Sequence, residues 1–361
     1  TVISMLLLNM PLIVNATPHM GIEGNKEVSG NYSGYNGSEL KYEGSDEYIP
    51  GEGGVFVVNE GAHLTVTGGT YSYNTTKSLY GNDGSTYGGK GGGAIATESS
   101  HNGKVTGHLT IQGAIDNYVY FTGNTAASLG GGAIYAGSVD LIDYAWFNAN
   151  NGTVNPYSIS YPSSIGGGAI YLDLENGATN TVISNSVFQN NVTSLLAGRA
   201  NKGGAIYVSG SSVNNYHIDF INDSFSNNIT GQGSQTVDTD IDNYNYGEGG
   251  AIHFAAMADD SAIIAGSEFI QNKAAEGGAI YGYTAPTLTI QAGTKLDGSQ
   301  KRTTFSENLA TKRGGAIFHR GNDLHISDTD FTGNSVIGKN DSTSSVDGGG
   351  AIYYVGSSAS R

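Results

Sequence analysis

Several groups of side chains in this sequence have the types and spacing that chemistry requires. Acidic pairs stand at Asp46-Glu47 and Asp259-Asp260, and two carboxylates across a glycosidic bond are what acid-base hydrolysis uses. No Asn-Thr-Asp or Gly-His-Gly phrase accompanies either pair, so both read as solvated loop acids. Asp238-Thr239-Asp240-Ile241-Asp242 alternates acids as a calcium loop does. It lacks the glycine and closing Glu of an EF-hand and the Gly-Gly-x-Gly-x-Asp repeat of calcium β-rolls, so no bound calcium is expected. The eight histidines are scattered. His63 and His108 open strand-like runs, and His253 and His319 follow a recurring glycine phrase, which favours stacking on a repeated surface over metal binding. There is no Gly-x-Ser-x-Gly and no phosphate-cradling glycine loop. The expectation is therefore no catalytic residue, no cofactor and no metal ligand.

Aromatic contact is the better resourced chemistry, with 23 tyrosines and one tryptophan. Tyr135, Tyr171, Tyr207, Tyr281 and Tyr353 follow the glycine phrase and are expected to stack on one another. Tyr157, Tyr161, Tyr244 and Tyr246 stand in polar segments and are the candidates for ligand contact.

The elements that must position these side chains are set by two recurring phrases. Gly-Gly-Ala-Ile occurs eight times, with its last Gly and Ala at Gly93-Ala94, Gly132-Ala133, Gly168-Ala169, Gly204-Ala205, Gly250-Ala251, Gly278-Ala279, Gly315-Ala316 and Gly350-Ala351. Between copies sits Phe-x-x-Asn, ending at Asn124, Asn150, Asn191, Asn228, Asn272, Asn308 and Asn334, with a Tyr71 to Asn74 variant ahead of them. A period of this size spanning most of a chain is the mark of a solenoid. Inside each unit three apolar pieces alternate with period two, as in Ala205 to Val208, His217 to Phe220 and Ser224 to Asn228, so they are strands.

Three strands of about five residues with their turns use roughly 20 to 25 residues, which fits once into the shortest spacing, the 28 residues from Ala251 to Ala279. One repeat is one coil plus a loop. The predicted fold is all-β: a right-handed single-stranded parallel β-helix of about nine coils, with extruded loops at 75 to 90, 151 to 165, 229 to 247 and 335 to 347. The glycines are expected to permit positive φ and close approach of neighbouring turns. The Phe fills the core, and the Asn forms a ladder of amide hydrogen bonds along the axis.

Composition agrees with one elongated body. Fifty-six glycines without a three-residue period exclude collagen, six prolines and regular apolar positions exclude disorder, and zero cysteines exclude disulfides and thiolate metal sites. A net charge of −16 disfavours nucleic acid and anionic membrane surfaces as partners. Residues 1 to 16 are apolar and end in Val14-Asn15-Ala16, the small-residue pattern of a signal-peptidase site, so they are expected to be the tail of a secretion signal. Residues 17 to 50 read as a leader or cap, and residues 51 to 361 as the solenoid, which ends in mid-coil as part of something longer.

The pairing of Gly-Gly-Ala-Ile with Phe-x-x-Asn, from about residue 53 to 353, resembles the repeats of the polymorphic outer membrane proteins, autotransporter adhesins best known from chlamydiae. The resemblance implies a secreted passenger displayed on the bacterial outer membrane, attached through a C-terminal barrel or anchor that this chain does not contain. It also implies adhesion to a protein or glycan on a host or neighbouring cell. The rival class is a carbohydrate-active β-helix enzyme, a lyase or glycoside hydrolase, since fold alone does not decide function.

Overall fold

The computed structural model describes residues 20–35, 40–41, 48–49, 54–76, 79–80, 86–87, 91–97, 107–126, 130–152, 166–174, 180–195, 201–210, 215–232, 247–255, 260–338 and 348–356. Among these the chain is strand and turn with no α-helix, wound into a parallel β-helix. The expected secretion signal, residues 1 to 16, lies outside the described residues.

The glycine phrases feed a ten-stranded parallel sheet running from Met20–Ile22 through Ile206–Ser209 to Ile352–Gly356. Its nine intervals of about 4.8 Å give a stack roughly 43 Å long. The other two strands of each unit form a second, two-armed sheet. One arm carries strands such as Asn180–Ser184 and His217–Ile221, and the other carries the Phe strands such as Val187–Gln189 and Ser224–Ser226. In the early coils the arms are a single strand, His63–Ser72, paired with Asn25–Ser33. Inward-facing residues of both sheets, from Ile22 to Ile317, form one continuous core.

The two glycines of the phrase are required for different reasons. From Gly167 onward the first is left-handed, as at Gly203 with φ 59° and Gly277 with φ 61°, a conformation that a side chain disfavours. The second approaches the next coil: a Cβ on Gly204 would stand 2.1 Å from the Gly250 carbonyl oxygen, and one on Gly168 1.9 Å from that of Gly204. Ala205 and Ile206 then enter the core with no exposed surface.

In-register stacking converts each repeated position into a column. The Phe column has ring centroids 4.8 Å apart from Phe121 through Phe147, Phe188 and Phe225 to Phe269, with planes within 7° of parallel. The Asn column is a ladder from Asn74 to Asn334. Asn191 Nδ2 donates to Asn228 Oδ1 at 3.0 Å and to the Phe147 carbonyl at 3.0 Å. Asn191 Oδ1 accepts from the backbone N–H and the Nδ2 of Asn150, both at 3.0 Å. The pattern repeats at Asn124, Asn150, Asn228, Asn272 and Asn308, so the buried amide is fully satisfied.

Three expectations change in detail. The leader is not only a cap: Met20–Ile22 and Asn25–Ser33 already form a coil, with Tyr32 stacked 5.2 Å from Tyr71. Its glycine phrase is missing and Tyr35 stands where later coils carry Asn, with its N–H donating to Asn74 Oδ1. Among the described residues it is the first of nine coils that carry both sheets, and Ile352–Gly356 adds a tenth strand to the first sheet. Second, most coils have a further short strand after the Asn, as in Val192–Leu195 and Ile229–Gln232, and the Asn150 coil has a single bridge there at Asn151. Its inward residues are small or polar, such as Thr76, Ala126, Thr193, Thr230 and Ala274, so apolar periodicity did not reveal it. The loops therefore begin later than expected, after Thr76, Gln232 and Val336, and Gly247 already pairs with Asn201. Third, Asn190 faces outward because it is a left-handed turn residue with φ 55°, not through strand alternation.

Substituting Asn191 by Ala leaves partners unpaired in two adjacent coils, at about 1 to 3 kcal/mol for each buried group. Asn190→Gly, which suits the left-handed backbone, is expected to stay within about 0.5 kcal/mol of the wild type. Denaturant unfolding of the two variants checks the contrast, and equal effects would contradict the ladder.

Candidate functional site

Most coils are interrupted at the same corner. The described wall stops after the short strand that follows the Asn and resumes at the glycine phrase, as between Ile229–Gln232 and Gly247–Glu248 and between Val192–Leu195 and Asn201–Lys202. Where nothing is inserted, a single strand, Lys273–Glu276, bridges the corner and pairs with Ile229 at one end and Glu248 at the other. Insertions at this corner leave every sheet in register, because the strands on either side are already paired. Tyr157, Tyr161, Tyr244 and Tyr246 fall within such insertions and lie outside the described residues, as do Asp46, Glu47, Asp238, Asp240, Asp242 and Asp259.

Asp260 is described, and it is a wall residue instead of the solvated loop acid its sequence suggests. It is buried, and its Oδ1 accepts the Tyr216 N–H at 2.6 Å. A second buried acid, Asp223, serves the turn between the two arms. Its Oδ1 accepts from Ser186 N–H at 2.9 Å while its own N–H donates to Ser267 Oγ at 3.1 Å. Burial pushes the Asp223 carboxyl well above the usual carboxylate range.

Three half-buried histidines join polar columns on the outer face. A register shift between Leu109 and Thr110 accompanies the extra residue Asp140 in the neighbouring strand. Asp140 lies 3.3 Å from His108 Nδ1 and 3.8 Å from His63 Nε2, while His63 Nε2 is 2.9 Å from Thr110 Oγ1. Further along, His217 Nδ1 is 2.7 Å from Ser261 Oγ and its Nε2 is 2.9 Å from Asp219 Oδ1. This Ser-His-Asp line has the order of a nucleophilic triad, but the Ser261 N–H donates to the Tyr216 carbonyl within the sheet, leaving that amide unable to serve as an oxyanion donor. Among the described residues no group of three or more His, Cys, Asp or Glu is arranged to hold a metal. The His217 line had no sequence signal, since Ser261 lies one coil away.

Tyr135, Tyr171, Tyr207, Tyr281 and Tyr353 stack in one column with His253 and Phe318, with centroids 4.7 to 5.3 Å apart. His253 is 1% exposed, and its Nδ1 is 3.6 Å from Glu248 Oε2. Burial, then nearby Lys202, holds the His253 imidazole well below its ordinary value, and burial pushes the Glu248 carboxyl up to about 7. The imidazole is thus neutral at neutral pH, while the Glu248 carboxyl changes charge close to it.

A groove of about 470 Å³ opens on the outer face at the junction of the two arms. Ser186, Val187 and Ser224 belong to adjacent coils at its base; Tyr118 and Tyr144 line one part, and Thr294, Lys295 and Lys301 of the Gly293–Thr294 and Gln300–Lys301 hairpin another. Tyr118 packs edge-on to Tyr144 at 5.7 Å and to Trp146 at 6.0 Å, and Trp146 stacks on Tyr120 at 6.2 Å. Alternation predicts this patch, since Tyr120 and Trp146 interleave with buried Val119, Phe121, Ala145 and Phe147. Tyr144 is left-handed with φ 48°, where the equivalent turns use Asn185, Asn222 and Gly266. A bulky residue there costs about 1 to 2 kcal/mol. Burial, then Tyr144, raises the Tyr118 phenol above its ordinary value, so it remains a hydrogen-bond donor at neutral pH.

With this geometry in place, the Chlamydia polymorphic membrane protein repeat matches at four places, residues 118–137, 185–209, 266–283 and 302–320. Each match joins stretches of the Phe strand and glycine phrase described above, except that the first also includes the Tyr118 to Tyr120 patch. The repeat is that of an outer-membrane, cell-surface family and supports a surface location. No curated protein and no solved structure matches the chain.

Replacing His253 by Tyr, the residue above and below it in the stack, isolates the titration. Because the fold depresses this imidazole, the unfolded chain binds the extra proton first, and the neutral side chain's contribution is lost as pH falls below about 6.5. His253→Tyr is expected to match the wild type near pH 8 and to exceed it by about 1.4 kcal/mol per pH unit lost below that value, until the folded histidine itself titrates. Chemical denaturation from pH 8 to pH 5 measures this, and parallel curves for the two proteins would contradict it.

Proposed function

From a chain that carries the Chlamydia polymorphic membrane protein repeat at four places, we propose a surface-displayed β-helical passenger that acts as an adhesin. The insertions and the outer face contact a protein or glycan on a host or neighbouring cell, and the chain catalyses nothing. The observation that carries this reading is the recurrence of insertions at one corner of successive coils. A rigid wall that places variable segments side by side suits multipoint contact. The use of Asp260, Asp223 and His253 inside the wall supports the non-catalytic part, as does the engagement of the Ser261 N–H in the sheet.

The test is binding of beads coated with the chain to cultured epithelial cells, alongside variants in which residues 233 to 246 or 153 to 165 are replaced by a short Gly-Ser link. Loop closure depends weakly on length, so both variants are expected to unfold within about 0.5 kcal/mol of the wild type. At least one is expected to lose most of the adhesion. Full adhesion by both, or release of reducing ends from host glycans by the purified chain, would overturn the proposal.

A further inference from the structure

We propose that the groove at the arm junction is a carbohydrate subsite for an acidic sugar, with a pyranose ring against Tyr118 and Tyr144 and its anionic group at Lys295. The inference rests on the adhesin reading and names a ligand class for it. Three independent observations converge.

The first is charge. The chain carries −16 overall, yet the residues lining this groove include Lys295 and Lys301 and no Asp or Glu. Lys301 is paired with Glu268 at 3.2 Å, whereas Lys295 makes no salt bridge among the described residues and has only a longer-range interaction with the exposed Asp297. Screening over roughly 8 Å at physiological salt leaves the site to its local charges instead of the distant net charge, with Lys295 as the exposed cation and Asp143 and Asp297 as neighbouring carboxylates. The second is shape and chemistry. Tyr118 and Tyr144 offer ring faces and phenols, and Asn185, Ser186 and Ser224 offer short polar groups in adjacent coils. This is the mixture of apolar platform and hydroxyl partners that a sugar ring presents in complement. Coil-to-coil repetition at about 4.8 Å also places these groups at a spacing close to that of successive pyranoses.

The third is strain. The turn that carries Asn185, Asn222 and Gly266 in later coils carries Tyr144 in the same left-handed conformation. A bulky aromatic held there marks a position selected for what it contacts instead of for the turn.

The experiment is saturation-transfer NMR on the intact chain with 3′-sialyllactose and a heparin-derived tetrasaccharide, with lactose as neutral control and pentaglutamate as an acidic non-sugar. Transfer is expected to at least one acidic sugar, with lactose bound at least about tenfold more weakly. Tyr144→Asn, compatible with the turn, and Lys295→Gln are each expected to weaken that binding by about tenfold or more while circular dichroism is unchanged. Absence of transfer to either acidic sugar, equal binding of lactose or pentaglutamate, or full binding by Tyr144→Asn would overturn the proposal. Because the assay uses no cells, its failure leaves the bead-adhesion result standing, and loss of cell adhesion leaves this measurement standing.

Discussion

Adjacent coils of a parallel β-helix are only about 4.8 Å apart, so any buried polar group repeated in every coil must find its partner in the coil above or below. The asparagine ladder meets that constraint completely. Each amide accepts two hydrogen bonds from one neighbouring coil and donates one to the next and one to a Phe or Tyr carbonyl. The same turn requires a left-handed residue just before the Asn, and Tyr73, Gly123, Ala149, Asn190, Asn227, Gln271, Glu307 and Gly333 all adopt it. With the turn held, the Phe strand before it falls into register, and the rings stack at the strand spacing. A single mispaired rung would strand amide groups on both sides, which is why the motif recurs with so little variation.

Function follows from where this constraint is absent. The corner between the post-Asn strand and the glycine phrase, and the junction of the two arms, are two places where a coil gains residues without disturbing a column; the connection from the glycine strand to the first arm, as between Ile95–Thr97 and His108–Gln112, is a third. The first holds the large insertions. The second holds the hairpin that, with Tyr118 and Tyr144, makes the groove. Titratable groups divide in the same way: those in the columns, such as His253 and Asp223, are buried and their charged forms are disfavoured, while His63, His108 and His217 stay on the outer face among hydroxyls and carboxylates.

The columns were legible in the sequence because they demand one residue type: Phe121 to Phe331 and Asn124 to Asn334 are constant, and the glycines before Ala133 to Ala351 have no substitute. The first coil was not, because Tyr32 and Tyr35 satisfy the same geometry without the motif. The post-Asn strand escaped notice since Thr193 and Thr230 are polar although buried. Asp260 resembled a surface acid because the backbone N–H it serves belongs to Tyr216, 44 residues earlier. The groove joins residues near 118, 186 and 294 that only the stacking brings together. Alternation could assign Tyr120 and Trp146 to the outer face, but it carries no information about neighbours across coils.

Residue-resolved hydrogen exchange tests the dependence of the stack on the ladder most directly. The backbone amides of Asn124, Asn150, Asn191, Asn228 and Asn272 sit in turns, yet each donates to a buried side-chain oxygen at about 3 Å. They are therefore predicted to exchange only through global unfolding, with the same denaturant dependence as the amides of the Phe strands. Exchange of these amides at the rate of exposed turns, while the strands remain protected, would contradict the account.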